Sequence, residues 1–207
     1  MNLKFNAIIF DLGGVILNID YHKTILAFKK LGVSNFDELY TQAKQNDVFD
    51  DFEMGKISEQ EFRDYIRKVS NVNLTDAEID FAWNAMLLDL PMERVELLVR
   101  LKKNYPIYLY SNTNAIHLEA FRQIIKASYD NELLLESLFI ETYYSHELGM
   151  RKPNQDGFIK IVKDHGLKIE STLFIDDSEQ HLKGAASIGL QTVWLKDKPI
   201  EELFKQK

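Results

Sequence analysis

Cysteine is absent from the 207-residue sequence. The chain therefore contains no disulfide, no thiolate metal ligand and no cysteine nucleophile. The absence of disulfides is compatible with a reducing compartment, and we expect a cytoplasmic protein. No apolar run approaches the roughly 20 residues that a membrane-spanning helix needs, so we expect no membrane association.

Positively charged residues are fewer than negatively charged ones. The sequence has 25 lysine and arginine residues against 32 aspartate and glutamate residues, and its formal net charge is −7. Binding to a nucleic-acid backbone depends on clustered cations, so this balance argues against a nucleic-acid partner. We expect a small-molecule ligand instead, and an anionic ligand would need a local positive charge.

The overall composition is that of an ordinary globular protein, with 45% hydrophobic residues, 28% charged residues and a mean hydropathy of −0.25. Four short apolar runs stand out because each is continuous rather than alternating, as in a parallel sheet covered on both faces. These predicted strands are residues 7–10, 107–110, 172–175 and 192–195.

Amphipathic segments separate the apolar runs. Apolar residues recur at three- and four-residue spacing, as in helices, in residues 92–103, 115–126, 157–165 and 181–188. Strands that alternate with helices predict an α/β fold, with a Rossmann-like parallel sheet covered by helices on both faces.

Residues 21–90 have a different pattern, with helical periodicity and no convincing strand. Ser58 with Glu61, and Thr75 with Glu78, have the spacing of capping boxes, in which side chains satisfy the free donors at a helix start. Two helices are therefore predicted to begin at these positions.

Further helices are predicted near residues 25–31 and 36–43, enough to complete a small bundle. We therefore predict an all-α cap domain over residues 19–90. It is inserted after the first strand of a catalytic core formed by residues 1–18 and 91–207.

Polar residues follow three of the predicted strands. Asp11 follows the first strand, Ser111 follows the second, and Asp176 and Asp177 follow the third. The carboxyl ends of parallel strands meet at one crevice, so we expect these residues to converge. Three carboxylates repel one another unless a cation lies between them, and Mg²⁺ is the usual occupant of an all-oxygen site. Taken singly, each residue is equally compatible with a turn or a helix cap.

The order of these residues resembles the haloacid dehalogenase-like (HAD) superfamily. Its motifs are an Asp-containing loop, a Ser or Thr, a Lys and an acidic pair, read here as FDLGGV (10–15), YSNT (110–113), GMRKP (149–153) and IDDS (175–178). The resemblance covers essentially the whole chain, and the helical insert lies where subfamily I members carry a small cap. Bacterial phosphatases that act on sugar phosphates, including the glucose-1-phosphatase type, are the most similar group.

The resemblance implies a Mg²⁺-dependent phosphatase in which Asp11 is the nucleophile that becomes phosphorylated. Asp11, the carbonyl of Gly13 and Asp177 would bind the metal, and Asp176 would support it through water. Water would then hydrolyse the aspartyl phosphate.

The resemblance also implies roles for the next two motifs. Ser111 and the backbone N–H of Asn112 would hold phosphate oxygens, and Lys152 would neutralise charge between nucleophile and phosphate. These roles suit phosphoryl transfer, which requires mainly positioning and charge compensation.

The turn containing Glu53, Met54 and Lys56 lies where cap loops of the subfamily approach the active site. We therefore treat these residues as candidates for substrate specificity, although an ordinary interhelical turn is the alternative. His181 stands where relatives often have Asp or Asn, and a helix-surface histidine explains it equally well. It is assigned no role.

Gly13 departs from the family pattern, because most phosphatases of the superfamily have there a second Asp that acts as general acid and base. Losing such a group typically costs about 10² to 10⁴ in rate. We hypothesise that the substrate compensates: an anomeric phosphate such as glucose 1-phosphate has a relatively acidic leaving hydroxyl. Asp20 could alternatively reach the site, but a surface turn is the simpler interpretation.

Three alternatives remain open at this point. A dehalogenase would use Asp11 without a metal, but it would leave the acidic pair unexplained. A non-catalytic protein could bind a phosphorylated ligand, and a phosphomutase is disfavoured because it needs the group that Gly13 lacks. We expect a monomer or a weak homodimer.

Overall fold

The computed structural model describes residues 4–39, 47–196 and 198–205. Its centre is a five-stranded sheet with the order β3-β2-β1-β4-β5, in which every neighbouring pair is parallel. The strands are β1 Ala7–Phe10, β2 Ile107–Ser111, β3 Glu141–Tyr144, β4 Thr172–Asp176 and β5 Gln191–Trp194. The prediction of a parallel α/β sheet is confirmed.

Strand β3 was not predicted from the sequence. It pairs with β2 at one edge of the sheet, with Tyr108 opposite Glu141 and Ser111 opposite Tyr144. Only the second half of β3 is buried, so the strand lacks the continuous apolar run that marks the other strands. Its β-branched and aromatic residues, Thr142 and two tyrosines, were the available signal.

The described residues form twelve helices: α1 Tyr21–Lys30, α2 Phe36–Leu39, α3 Asp47–Glu53, α4 Glu59–Ser70, α5 Asp76–Asn84, α6 Met92–Lys102, α7 Ala115–Tyr129, α8 Leu134–Leu138, α9 Ser145–Leu148, α10 Gln155–Asp164, α11 Glu179–Ser187 and α12 Ile200–Leu203. None of the helices in these ranges is long and apolar enough to cross a bilayer.

Helices cover both faces of the sheet, as predicted. Successive strand residues point to opposite faces, so Ile8 and Phe10 of β1 lie in one core cluster and Ile9 lies in another. The first cluster includes residues of α6, α7, α8 and α12, and the second includes residues of α10 and α11.

Helices α1 to α5 pack around a third cluster that is rich in aromatic residues. Phe28 stacks on Phe36 at a ring-centroid distance of 3.9 Å, and Phe52 stacks on Phe62 at 4.3 Å. Burying such rings contributes about 1.5–3 kcal/mol each. This cluster lets the helices form a compact unit beside the sheet, hereafter the cap. The boundaries at residues 18/19 and 90/91 stay a prediction.

Both predicted capping boxes are present. The Ser58 hydroxyl accepts a hydrogen bond from the backbone N–H of Glu61, and the Thr75 hydroxyl accepts one from that of Glu78. Each glutamate carboxylate in turn accepts a hydrogen bond from the backbone N–H of the capping residue. Helix α3 was not predicted. Residues 40–43 of the helix predicted at 36–43 lie outside the described residues.

The chain enters and leaves the cap through two segments that lie side by side. Ile19 and Leu87 form an antiparallel bridge, and the Asn18 backbone exchanges hydrogen bonds with Leu88 and Asp89. These paired segments fix the cap above the carboxyl end of β1.

Gly184, inside α11, gives a test of the packing between this helix and the loop at Pro153. A Cβ atom at Gly184 would lie 2.0 Å from the Pro153 carbonyl oxygen. Alanine normally stabilises a helix interior relative to glycine by about 0.8–1 kcal/mol, but here overpacking should dominate. We expect Gly184→Ala to lower the free energy of unfolding by about 1–3 kcal/mol, measured by urea denaturation.

Lys183→Ala is the matched control, because Lys183 is the exposed neighbour of Gly184. It should change the free energy of unfolding by less than about 0.5 kcal/mol. An equal or higher stability of Gly184→Ala would contradict the packing described here.

Candidate active site

Three carboxylates converge at the carboxyl edge of the sheet, as predicted. Asp11 directly follows β1, Asp176 ends β4, and Asp177 comes next in the chain. Each of them offers an oxygen that lies within 4.8 Å of the oxygens of the other two. The parallel pairing of β1 with β4 aligns Phe10 with Ile175, which brings the residues after them together.

Lys152 lies among these carboxylates and is fully buried. Its Nζ is 2.5 Å from Asp11 Oδ1 and 2.9 Å from Asp176 Oδ2. Burial alone would lower the pKa of Lys152, but the attraction of the two carboxylates prevails and raises it above its ordinary value. The lysine therefore remains a cation, which a buried site tolerates only with such partners.

Asn112 fixes the backbone of Lys152. Its side-chain Oδ1 accepts a hydrogen bond from the Lys152 N–H, and its Nδ2 donates one to the Lys152 carbonyl oxygen, both at 2.9 Å. These two bonds connect the end of β2 to the lysine loop. Ser111 ends β2 and is buried, and its hydroxyl lies 3.4 Å from the Asn112 carbonyl oxygen.

The carboxylates differ in their electrostatic surroundings. Burial opposes ionisation of Asp176, but Lys152 and His181 lower its pKa to about 2. Burial and the charges of Asp11 and Asp176 raise the pKa of Asp177 to about 7. Burial also raises the pKa of Asp11, against the opposing effect of Lys152.

His181 contacts Asp176 rather than lying unattached on a helix surface. Its Nδ1 is 3.0 Å from Asp176 Oδ2, and the Ser178 N–H donates to Asp176 Oδ1 at 2.7 Å. Asp176 thus accepts hydrogen bonds from Lys152, His181 and Ser178. These donors hold its carboxylate in one orientation.

The donor set fits a magnesium ion. Three carboxylates supply the hard oxygen ligands that Mg²⁺ prefers. The raised pKa of Asp177 reflects its burial and also the repulsion from Asp11 and Asp176, which a divalent cation would relieve. Gly14 has a φ of +75°, and a Cβ there would lie 2.3 Å from Asp177 Oδ2. Glycine therefore permits the close approach of Asp177 to the loop after β1.

A cavity of about 90 Å³ lies between this cluster and the cap. Its walls are formed by Asp11, Gly13, Tyr21, Glu53, Trp83, Met86, Asn112, His117, Arg151, Asp177, Ser178 and His181. The small volume favours a small metabolite over a macromolecular substrate.

The three cap residues predicted to influence specificity occupy different places. Glu53 lines the cavity, whereas Met54 and Lys56 are not among the described residues that do so. Lys56 is exposed and forms an ion pair with Asp51 at 3.1 Å.

Arg151 was missed by the sequence analysis, although it adjoins Lys152 in a quoted motif. Its guanidinium lies 2.9 Å from Asp50 Oδ2 and 2.9 Å from Glu53 Oε2, both in α3 of the cap. Cap and core are therefore joined by ion pairs at the wall of the cavity. His117 and Trp83, which also line the cavity, were missed because their positions fit helix packing equally well.

The space beside Gly13 is occupied. A Cβ at Gly13 would lie 3.0 Å from Ile19 Cδ1, so a side chain at residue 13 would require the end of the Ile19 side chain to shift. Asp20 does not replace the missing acid: it is the N-cap of α1, it accepts a hydrogen bond from the His22 N–H, and it is not among the described residues that line the cavity.

The sequence matches the haloacid dehalogenase-like hydrolase family over residues 5–189. A D-ribitol-5-phosphate phosphatase from Bacteroides thetaiotaomicron is 31% identical over 186 residues, which is 89% of each protein. A sesquiterpene phosphatase from Aspergillus oryzae is 28% identical over 199 residues, or 95% of this chain and 93% of that protein.

Solved structures agree with these matches. An HAD family enzyme from Bacteroides thetaiotaomicron, in complex with magnesium and inorganic phosphate, superposes with a TM-score of 0.90 and 35% identity, covering 98% of this chain and 100% of that chain. A predicted HAD-like hydrolase from Porphyromonas gingivalis gives a TM-score of 0.85 at 30% identity, covering 99% and 100%.

The protein therefore belongs to the haloacid dehalogenase-like hydrolases. The family and the hydrolase class predicted from the four motifs are confirmed.

The raised pKa of Asp177 makes a test of the metal site possible. Folding raises this pKa from 3.8 to about 7. The metal-free folded protein therefore holds a proton that the unfolded chain releases, and its stability falls as the pH rises through this range. A bound Mg²⁺ must displace that proton, so its affinity should weaken up to about tenfold per pH unit below 7.

We expect saturating Mg²⁺ to raise Tm by several degrees at pH 8 and clearly less at pH 6, measured by differential scanning fluorimetry. Asp177→Asn is the control, since it removes both a ligand and the titrating proton. A Mg²⁺ shift of equal size at both pH values would exclude Asp177 as the proton-linked ligand.

Proposed function

We propose that the protein is a Mg²⁺-dependent phosphomonoester hydrolase of small polyhydroxylated metabolites, with Asp11 as nucleophile. The observation that carries this proposal is the placement of the Asp11 carboxylate 2.5 Å from the buried Lys152 ammonium, within a cluster of three carboxylates at the wall of the cavity. We assign these groups as the nucleophile, a fixed cation and a set of metal ligands.

In the proposed reaction a carboxylate oxygen of Asp11 attacks phosphorus, and the bond from phosphorus to the substrate oxygen breaks. The leaving alkoxide takes a proton from water. A second water then attacks phosphorus, which releases inorganic phosphate and restores the Asp11 carboxylate. Two easier steps thus replace one difficult displacement.

Lys152 keeps its charge throughout and compensates the negative charge where Asp11 meets the phosphoryl group. Ser111 and the backbone N–H of Asn112, at the end of β2, are proposed to hold phosphate oxygens. Asp11, the Gly13 carbonyl and Asp177 would hold Mg²⁺, and Asp176 would support it. The metal supplies charge neutralisation at the phosphoryl oxygens.

The substrate class follows from the cavity and from the loop after β1. Glu53, Arg151 and His117 place polar groups on the cavity wall, which suits a hydroxylated carbon chain better than the prenyl chain implied by the sesquiterpene phosphatase. Gly13 supplies no acid, so we propose glucose 1-phosphate as a substrate. Ribitol 5-phosphate, the substrate named for the B. thetaiotaomicron relative, is the second candidate.

The alternatives are less well supported. A metal-free dehalogenase would leave the repulsion among Asp11, Asp176 and Asp177 uncompensated. A purely binding protein would have no use for a nucleophile held against a buried lysine. A cytoplasmic location and a monomeric or weakly dimeric state stay predictions.

Asp11→Asn tests the nucleophile. This variant keeps the shape of the side chain but removes its charge, so hydrolysis of p-nitrophenyl phosphate in Mg²⁺ should fall by at least about 10³-fold. EDTA should abolish the activity of the wild type. The substrate range is measured as phosphate release from a panel of sugar phosphates, sugar-alcohol phosphates and a C15 prenyl phosphate.

Asp130→Asn is the control, because Asp130 is exposed and its left-handed backbone at φ 54° suits asparagine. It should retain wild-type activity. Full turnover by Asp11→Asn would refute the nucleophile, and chloride release from 2-chloropropionate in EDTA would favour the dehalogenase.

The dependence on leaving group tests the role of Gly13. Without a general acid, glucose 1-phosphate should be hydrolysed about tenfold or more faster than glucose 6-phosphate, compared as kcat/KM. The double variant Gly13→Asp with Ile19→Ala provides both a general acid and the space for it. It should reduce the difference in kcat/KM between glucose 1-phosphate and glucose 6-phosphate. Equal rates for the two phosphates in the wild type would end this explanation.

A further inference from the structure

His117 is a buried histidine on the cavity wall for which the proposed phosphoryl-transfer chemistry has no use. It is the third residue of α7, and its backbone N–H donates to Oδ1 of the N-cap residue Asn114 at 3.0 Å. Its side chain is stacked flat on the indole of Trp83, with ring centroids 4.9 Å apart and an interplanar angle of 6°. Only 7% of the residue is exposed. Its ring is therefore held in a single orientation between cap and core.

The hydrogen bond at Nδ1 fixes the tautomer of the ring. Nδ1 lies 2.9 Å from Asn84 Oδ1, and an amide oxygen can only accept. Nδ1 therefore carries the proton and donates it, which leaves Nε2 with a free lone pair.

The position of Asn84 indicates which ring nitrogen is available to a ligand. His117 lines the cavity together with Asp11 and Asp177, whereas Asn84 is not among the described residues that line it. Since Nδ1 is engaged by Asn84, Nε2 is the ring nitrogen left for a ligand in the cavity. Within the described part of the chain, no donor is hydrogen-bonded to Nε2.

Burial keeps this group an acceptor at neutral pH. It lowers the pKa of His117 to about 3, so the imidazole is uncharged at neutral pH. A neutral imidazole nitrogen with a lone pair accepts a hydrogen bond from a hydroxyl but offers nothing to an apolar chain.

We propose that Nε2 of His117 accepts a hydrogen bond from a hydroxyl on the carbon chain of the substrate, which makes His117 a specificity-determining residue. The inference rests on the proposed phosphatase function. Its chemical consequence is a preference for polyol and sugar phosphates over phosphomonoesters without such a hydroxyl. Sites built to bind a hydroxyl reject substrates that lack it, because a buried polar group is then left unpaired.

His117→Phe is the test, since phenylalanine preserves the planar ring against Trp83 and lacks both nitrogens. The measured quantity is the ratio of kcat/KM for ribitol 5-phosphate or glucose 1-phosphate to kcat/KM for p-nitrophenyl phosphate. One lost hydrogen bond should lower this ratio about 10- to 100-fold, mainly through KM for the polyol substrate.

Two further variants separate recognition from folding. His165→Phe is the matched control: His165 packs against Tyr108 and Tyr143, away from the cavity, so the ratio should stay unchanged. Asn84→Leu removes the acceptor opposite Nδ1 and frees the ring, so it should lower the ratio. An equal loss for both substrate types in His117→Phe would show a merely structural role and overturn the proposal.

Calorimetry separates this inference from the proposed function. In the Asp11→Asn background with Mg²⁺, His117→Phe should weaken binding of ribitol 5-phosphate or glucose 1-phosphate by the same 10- to 100-fold, and should weaken inorganic phosphate far less. If the wild type hydrolyses no phosphomonoester, the phosphatase proposal fails and this binding comparison still decides the role of His117. An unchanged affinity for the sugar phosphate in the His117→Phe variant would refute the proposed role of His117.

Discussion

The buried ammonium of Lys152 is the interaction on which the site depends. It neutralises Asp11 and Asp176, which the ends of β1 and β4 bring together. Breaking one partner of such a buried set typically costs about 3–5 kcal/mol, because the remaining charges are left uncompensated. The same group that allows the carboxylates to be buried also provides the positive charge that an anionic phosphate needs. The Lys152 ammonium thus both stabilises the buried carboxylates and supplies positive charge for the chemistry.

The position of Lys152 depends in turn on contacts made through its loop. Asn112 holds its backbone from β2, and its neighbour Arg151 binds Asp50 and Glu53 in the cap. The phosphate end of the cavity and the cap are therefore joined through two adjacent residues. We propose that the cap influences substrate choice through this connection, without contributing to the reacting groups.

Two neighbouring glycines in the loop after β1 have different surroundings. Gly14 lets Asp177 approach the loop, whereas the space next to Gly13 is filled by Ile19. Gly13 supplies no acid, and in the proposed function the metal, Lys152 and the leaving group compensate for it. In the inference proposed above, His117 accepts a hydrogen bond from a substrate hydroxyl on the core side of the cavity wall, and Glu53 lies on the cap side of the same wall.

The sequence alone determined the strand-helix alternation, the helical insert and the order of Asp11, Ser111, Lys152 and the acidic pair, because continuous apolar runs, capping boxes and loop motifs are local in the chain. It did not reveal β3, whose half-exposed edge carries no apolar run. Nor could it reveal His181 against Asp176, Arg151 against the cap, or the Asn84–His117 contact. Such contacts join residues of different elements, and only the tertiary packing of those elements decides which side chain faces which.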